Sequence, residues 1–156
     1  MPIENLPNLR TRIKMCGLTR PQDVDDAVTV GADAVGFVLY PPSPRAVTLQ
    51  RAAELARRLP PFVLPVLLFV NADDVLLAQA YAALPQALWQ FHGDETPLQC
   101  QQIAEQVGRR WYKAIQVKPE LDVVVEVQRF QQAGASAVLL DAWHPELKGG
   151  TGHSFD

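Results

Sequence analysis

Cysteine is scarce in this chain. Its 156 residues hold two, Cys16 and Cys100, at a separation that fits no disulfide framework. A bridge between them is not expected in a reducing compartment. The three histidines and the carboxylates form no cluster with metal-ligand spacing, so no metal site is expected. Positive charge is also thin: 14 Lys and Arg stand against 17 Asp and Glu, a net charge of −3, with no basic stripe. That balance speaks against a nucleic-acid partner. The longest apolar run, "FVLPVLLFV", is interrupted by Pro65 and is too short to cross a bilayer, which takes about 20 residues. The opening "MPIENLPNLRTR" has no apolar core and is not a secretory signal. The expectation is a soluble cytoplasmic protein that binds no membrane.

What the chain does have is regular alternation. Short apolar strands are predicted at Arg12–Cys16, Ala34–Leu39, Val66–Val70, Ala87–Phe91, Trp111–Ile115 and Ala137–Leu140. Continuous apolar runs suit strands buried on both faces of a parallel sheet. Pro65, which has no N–H to give a central ladder, is placed at or before the start of the third strand.

The helices between the strands carry their own punctuation. Thr19 is expected to cap the first, with Pro21 in its first turn, Val24, Ala27 and Val28 inward, and Gly31 ending it. Thr48 caps the second, whose inner face is Ala52, Leu55, Ala56 and Leu59. Asn71 caps the third, with Leu77, Ala80, Tyr81 and Leu84 inward. Thr96 and Pro97 open the fourth with a capping box to Gln99, and Gly108 stops it. The fifth runs about Pro119–Ala133, with Val124, Val127 and Phe130 inward, and stops at Gly134.

"GADAVGFVLY" and "GASAVLLDAW" resemble each other, as one repeated βα unit would. Six such units suit a (β/α)8 barrel or a doubly wound sheet. The turn after the first strand, "CGLTRP", lacks the G-x-G-x-x-G of a dinucleotide site and disfavours the second.

Side chains alternate faces along a strand. Lys14 and Cys16 therefore share a face, as do Leu88, Gln90 and His92, and Ala137, Leu139 and Asp141. Each set ends in a reactive or hydrogen-bonding group at the C-terminal tip, where barrel active sites assemble. Taken singly, each residue has a plain structural role: a buried thiol, a turn aspartate, a loop charge at Arg45. Cys100, mid-helix, is assigned to structure, and Trp89, Trp111 and Trp143 to packing. Three glycines among Gly149, Gly150, Thr151 and Gly152 suit close approach of backbone N–H groups to a phosphate.

Taken together, "IKMCGLTRPQD", "GADAVGFVLYPPSPRAV", "VLLFVN", "WQFHGDE", "AVLLDAW" and "GGTGHSFD" resemble the phosphoribosylanthranilate isomerase family of tryptophan biosynthesis. Met15, Phe91 and Pro65 are small departures from its usual residues. The resemblance implies a (β/α)8 TIM barrel and an Amadori rearrangement of N-(5-phosphoribosyl)anthranilate, with no cofactor and no metal. It implies Cys16 as general base and Asp141 as general acid. Lys14 is placed to favour the thiolate. Arg45 is the candidate for the anthranilate ring or carboxylate, Gln90 and His92 line the pocket, and Gly149–Gly152 takes the phosphate. The partner is a small phosphosugar; monomer, homodimer and fusion to a neighbouring pathway enzyme are all compatible with the family. Two rivals are another phosphosugar-binding barrel enzyme and an inactive barrel fragment that serves as an association module.

The expected domain is a single barrel over residues 1–156, incomplete at its C-terminus, since only about six βα units are present and strands seven and eight are absent. The chain represents part of a longer protein, a shortened one, or a natural fragment paired with another chain. An open arc would expose the edges of strands one and six, which favours the longer protein. Made alone, the chain is expected to associate or precipitate and to show negligible isomerase activity.

Overall fold

A computed structural model of the chain describes residues 10–142. Trp143 and the glycine loop Gly149, Gly150, Thr151 and Gly152 lie outside the described residues. The described residues alternate without exception: β1 (Lys14–Cys16), α1 (Pro21–Thr29), β2 (Ala34–Val38), α2 (Leu49–Ala56), β3 (Leu64–Phe69), α3 (Asp74–Ala83), β4 (Leu88–Phe91), α4 (Pro97–Val107), β5 (Trp111–Val117), α5 (Val123–Gln132) and β6 (Ala137–Ala142). The six strands form one parallel sheet in chain order, β1-β2-β3-β4-β5-β6.

That order excludes the doubly wound alternative, which reverses at a switch point and places helices on both faces. Here one face carries all the helix packing. Val35, Phe37, Leu67, Phe69, Trp89, Phe91, Trp111 and Ile115 join Val24, Leu55, Leu77, Cys100 and Phe130 in a single core. The strand registers put all eight strand residues on the same side. Aromatic rings dominate this layer: Phe69 meets Trp89 edge-on at 5.0 Å, and Phe91 meets Trp111 at 5.8 Å. Trp89 and Trp111 therefore pack, as expected. Cys100 is fully buried there, and burial pushes its thiol up to about 12. The sheet curls as a (β/α)8 barrel wall does, and its other face is left to line the interior.

Several caps fall where the sequence puts them. Thr48 accepts from the Arg51 N–H, Thr96 and Gln99 close a reciprocal capping box, and Gly31, Gly108 and Gly134 take positive φ after their helices. Two caps move. Pro21 settles at the first helical position, where its missing N–H costs nothing, so Arg20 rather than Thr19 is the cap, without a side-chain bond. Asp73 rather than Asn71 caps α3, accepting from the Leu76 N–H. Asn71 is drawn instead into a left-handed turn (φ 48°), where its side chain binds Asp94 twice.

Helix α5 starts later than expected because Asp122 caps it through the Val125 N–H. Val124 is exposed rather than inward. At 3.6 residues per turn it lies about 120° around the helix from Phe130, the buried anchor. Tyr81 is exposed too, and the Arg109 guanidinium stacks on its ring, 4.6 Å from the centroid.

Pro65 sits inside β3, opposite Val35, not ahead of the strand. The Leu64 N–H bonds the Asp33 carbonyl on the β2 side, so the N of residue 65 points toward β4. Pairing with β4 begins only at Val66, so no ladder bond is lost there.

Candidate active site

The two reactive groups sit on the outermost strands, and the registers decide whether they share a face. Cys16 pairs with Gly36, Gly36 with Val66, and Val66 with Leu88. Leu88 and Gln90 point the same way, Gln90 pairs with Tyr112, and Tyr112 with Ala137. Asp141, four residues along β6 from Ala137, keeps that face. The thiol and the carboxyl therefore both look into the curl from its C-terminal end, and Lys14, at the start of β1, shares their face.

Glycines open the β1 end. A Cβ on Gly36 would lie 2.8 Å from Cys16 Sγ and 3.2 Å from Lys14 Nζ, so both groups occupy the space a side chain would have taken. Gly17 takes φ +82°, and the Arg45 side chain lies across it; a Cβ there would come within 2.8 Å of Arg45 Cδ. Arg45 Nη1 donates to the Cys16 carbonyl at 3.2 Å. The exposed guanidinium is thereby held beside β1.

The β4–β6 side is a chain of hydrogen bonds. Tyr112 Oη donates to Gln90 Oε1 (2.5 Å), Gln90 Nε2 faces His92 Nδ1 (3.0 Å), and His92 Nε2 faces Asp141 Oδ2 (2.9 Å). Gln90 is 1% exposed and both ends of its amide are engaged within the protein. Burial lowers the His92 pKa, and the bond to Asp141 opposes that shift. Burial raises the Tyr112 pKa, and the charge of Cys16 adds to the rise.

Behind this row, on the helix side, Lys113 Nζ binds Glu95 Oε2 at 2.8 Å and the Gly93 carbonyl at 2.6 Å. Glu95 also accepts from the Asn71 and Gly93 N–H groups. This buried pair ties the loop after β3 to the loop after β4, and so holds the turn that presents His92. A side chain at Gly93 would collide with Asn71 and Glu95.

The structure thus places Lys14, Cys16, Gln90, His92 and Asp141 on one face, with Arg45 beside Cys16 at one edge and Gln90, His92 and Asp141 joined toward the other. Sequence reasoning missed Tyr112, Gly36, Gly17 and the Lys113–Glu95 pair. Counting alternation along the fifth strand puts Tyr112 on the inner face; that signal was available for it. A cleft of about 590 Å³ between α3 and α4 is lined by Asn71, Asp74, Asp94 and Gln99 and lies on the outer layer, away from this site. Among the described residues no group of His, Cys, Asp and Glu is placed to hold a metal, and no helix is long and apolar enough to cross a membrane.

Comparison with known proteins identifies the family and the fold. The family model for N-(5'phosphoribosyl)anthranilate (PRA) isomerase matches residues 13–156. An N-(5'-phosphoribosyl)anthranilate isomerase of Acinetobacter calcoaceticus is 62% identical over 148 residues, which cover 95% of this chain and 70% of that protein. The Ralstonia nicotianae enzyme of the same name is 55% identical over 151 residues, covering 97% of this chain and 64% of its own length. The chain therefore spans about two thirds of the length of the curated relatives it matches. The crystal structure of phosphoribosyl anthranilate isomerase from Thermotoga maritima superposes with a TM-score of 0.78 at 34% identity, over 90% of this chain and 66% of that one. With its inner-face thiol and carboxyl, its strand order and these relatives, the chain belongs to the phosphoribosylanthranilate isomerase family.

Proposed function

We propose that the protein isomerises N-(5-phosphoribosyl)anthranilate to 1-(2-carboxyphenylamino)-1-deoxyribulose 5-phosphate, an aldose–ketose rearrangement that uses one acid, one base and no cofactor. The observation that carries this reading is the shared face of Cys16 and Asp141 at the C-terminal end of the curled sheet. A solved isomerase of this name, 34% identical, is in complex with the reduced form of that product.

Asp141 gives its proton to the furanose ring oxygen. The C1–O bond breaks, its electrons go to that oxygen, and the nitrogen lone pair forms the protonated Schiff base. The Cys16 thiolate then takes the proton from C2. The C–H electrons become the C1–C2 double bond, and the imine electrons return to nitrogen. The resulting enol loses its O–H proton and gains one at C1, which yields the ketone. The imine is the electron sink, and each proton-transfer group contributes typically ~10²–10⁴-fold.

Lys14 supports the thiolate electrostatically. Arg45, a planar fork held beside Cys16, is suited to the anthranilate carboxylate. The glycine loop Gly149–Gly152 would present N–H groups to the phosphate. The reading places the protein in the cytoplasm, where both cysteines stay reduced.

In the intact protein, Cys16→Ala and Asp141→Ala are each expected to abolish most turnover while leaving the thermal melt unchanged. Loss of substrate fluorescence is the assay. A variant with near-normal turnover removes that residue from the mechanism.

A further inference from the structure

We infer that Tyr112, Gln90 and His92 are positioning residues that decide which carboxyl oxygen of Asp141 carries the transferable proton, an inference that rests on Asp141 being the acid.

The hydrogens can be placed in sequence. Tyr112 is buried, and its phenol has one hydrogen, which goes to Gln90 Oε1. Reversing the Gln90 amide would leave that hydrogen without an acceptor among the described residues. The amide NH2 therefore faces His92 Nδ1. An amide nitrogen only donates, so Nδ1 must offer its lone pair and the ring must carry its hydrogen on Nε2. That hydrogen points at Asp141 Oδ2.

Two consequences follow for the carboxyl group. Nε2–H donates to Oδ2 whether Asp141 is ionised or protonated, so Oδ2 is held as an acceptor. The proton must then sit on Oδ1, in one orientation rather than several. His92 is also kept from taking that proton itself, because a hydrogen on Nδ1 would point at the amide N–H. The charged groups that act on the ring are Asp141 from β6, which favours the cation, and Lys113 from β5 and Lys14 from β1, which oppose it. The phenol, remote from the acid in sequence, thus prevents a proton swap that would turn the acid into a carboxylate–imidazolium pair.

Tyr112→Phe keeps the ring and removes the hydrogen that orients the amide. Long-range ¹H–¹⁵N correlations of the imidazole, assigned by their loss in His92→Asn, read the tautomer directly. The parent protein should show the hydrogen on Nε2 between about pH 6 and 8. Tyr112→Phe should populate the form with hydrogen on Nδ1. Gln90→Glu, which accepts from both neighbours, should hold the imidazolium. In the isomerase assay, kcat should fall about 10-fold in Tyr112→Phe with KM within about twofold, and further in Gln90→Glu. Identical imidazole signals in the parent and Tyr112→Phe would overturn the inference. So would a changed tautomer with unchanged kcat. Failure of the functional reading shows separately, as normal turnover in the Cys16 or Asp141 variants, whatever the imidazole signals do.

Discussion

Cys16 Sγ lies 2.8 Å from where a Cβ on Gly36 would stand, so the thiol occupies a gap made by an absent side chain on the neighbouring strand. Gly36→Ala is therefore expected to displace the thiol and the Lys14 ammonium together. A misplacement of about 1 Å at a reacting group can cost ~10²-fold in rate. The fall should appear in kcat while far-UV circular dichroism stays unchanged; near-normal kcat would mean that the thiol is free to sit elsewhere.

The His92 ring adds a pH dependence to stability. Its folded pKa lies below the ordinary value, by burial first. The unfolded chain therefore binds more protons below about pH 6.5, and stability is present above that value and lost as pH falls through it. Urea midpoints should drop between pH 7.5 and 5.5. In His92→Gln that drop should be smaller; an equal drop would assign it to other groups.

Lys113 and Glu95 are buried to 5% and 7% side-chain exposure. Lys113→Met leaves a buried carboxylate without its cation, which typically costs ~3–5 kcal/mol. Chemical denaturation measures this directly. Glu95→Gln in the same chain should recover part of the loss, and a single variant as stable as the parent would show that water reaches Glu95.

At the opposite end of the strands, Asp33 accepts from Arg10, from the Ile13 N–H at 2.8 Å and from Arg12 at 2.9 Å. The Arg10 bond first, then Ile13 and Arg12, hold its carboxyl well below the usual carboxylate range. The stabilisation is present above about pH 4 and lost as pH falls toward the folded value. Acid unfolding followed by tryptophan fluorescence should begin at higher pH in Asp33→Asn; coincident curves would show that these exposed pairs contribute nothing.

The order of elements was legible from the residues alone. Buried strands need continuous apolar runs, and helices need caps, and both are local demands written over a few neighbours. Thr48, Thr96–Gln99 and Gly108 signal their helix ends because capping bonds span three or four residues. Asn71 and Tyr81 misled for the opposite reason. Asn71 answers to Asp94 and Glu95, and Tyr81 to Arg109, partners more than 20 residues away.

The site divides along the same line. Alternation along single strands put Lys14 on the face of Cys16 and Gln90 on that of His92, and marked Cys16, His92 and Asp141 as the tips, because side-chain direction is set by the residue's own backbone. Their mutual placement depends on strand register and sheet curl, which no strand specifies by itself. Only the folded sheet gives Gly36 its role beside the thiol, Gly17 its role beneath Arg45, and Tyr112 its place at the head of the row ending on Asp141. A sequence states what each side chain can donate or accept; the tertiary structure decides which partner stands within 3 Å of it.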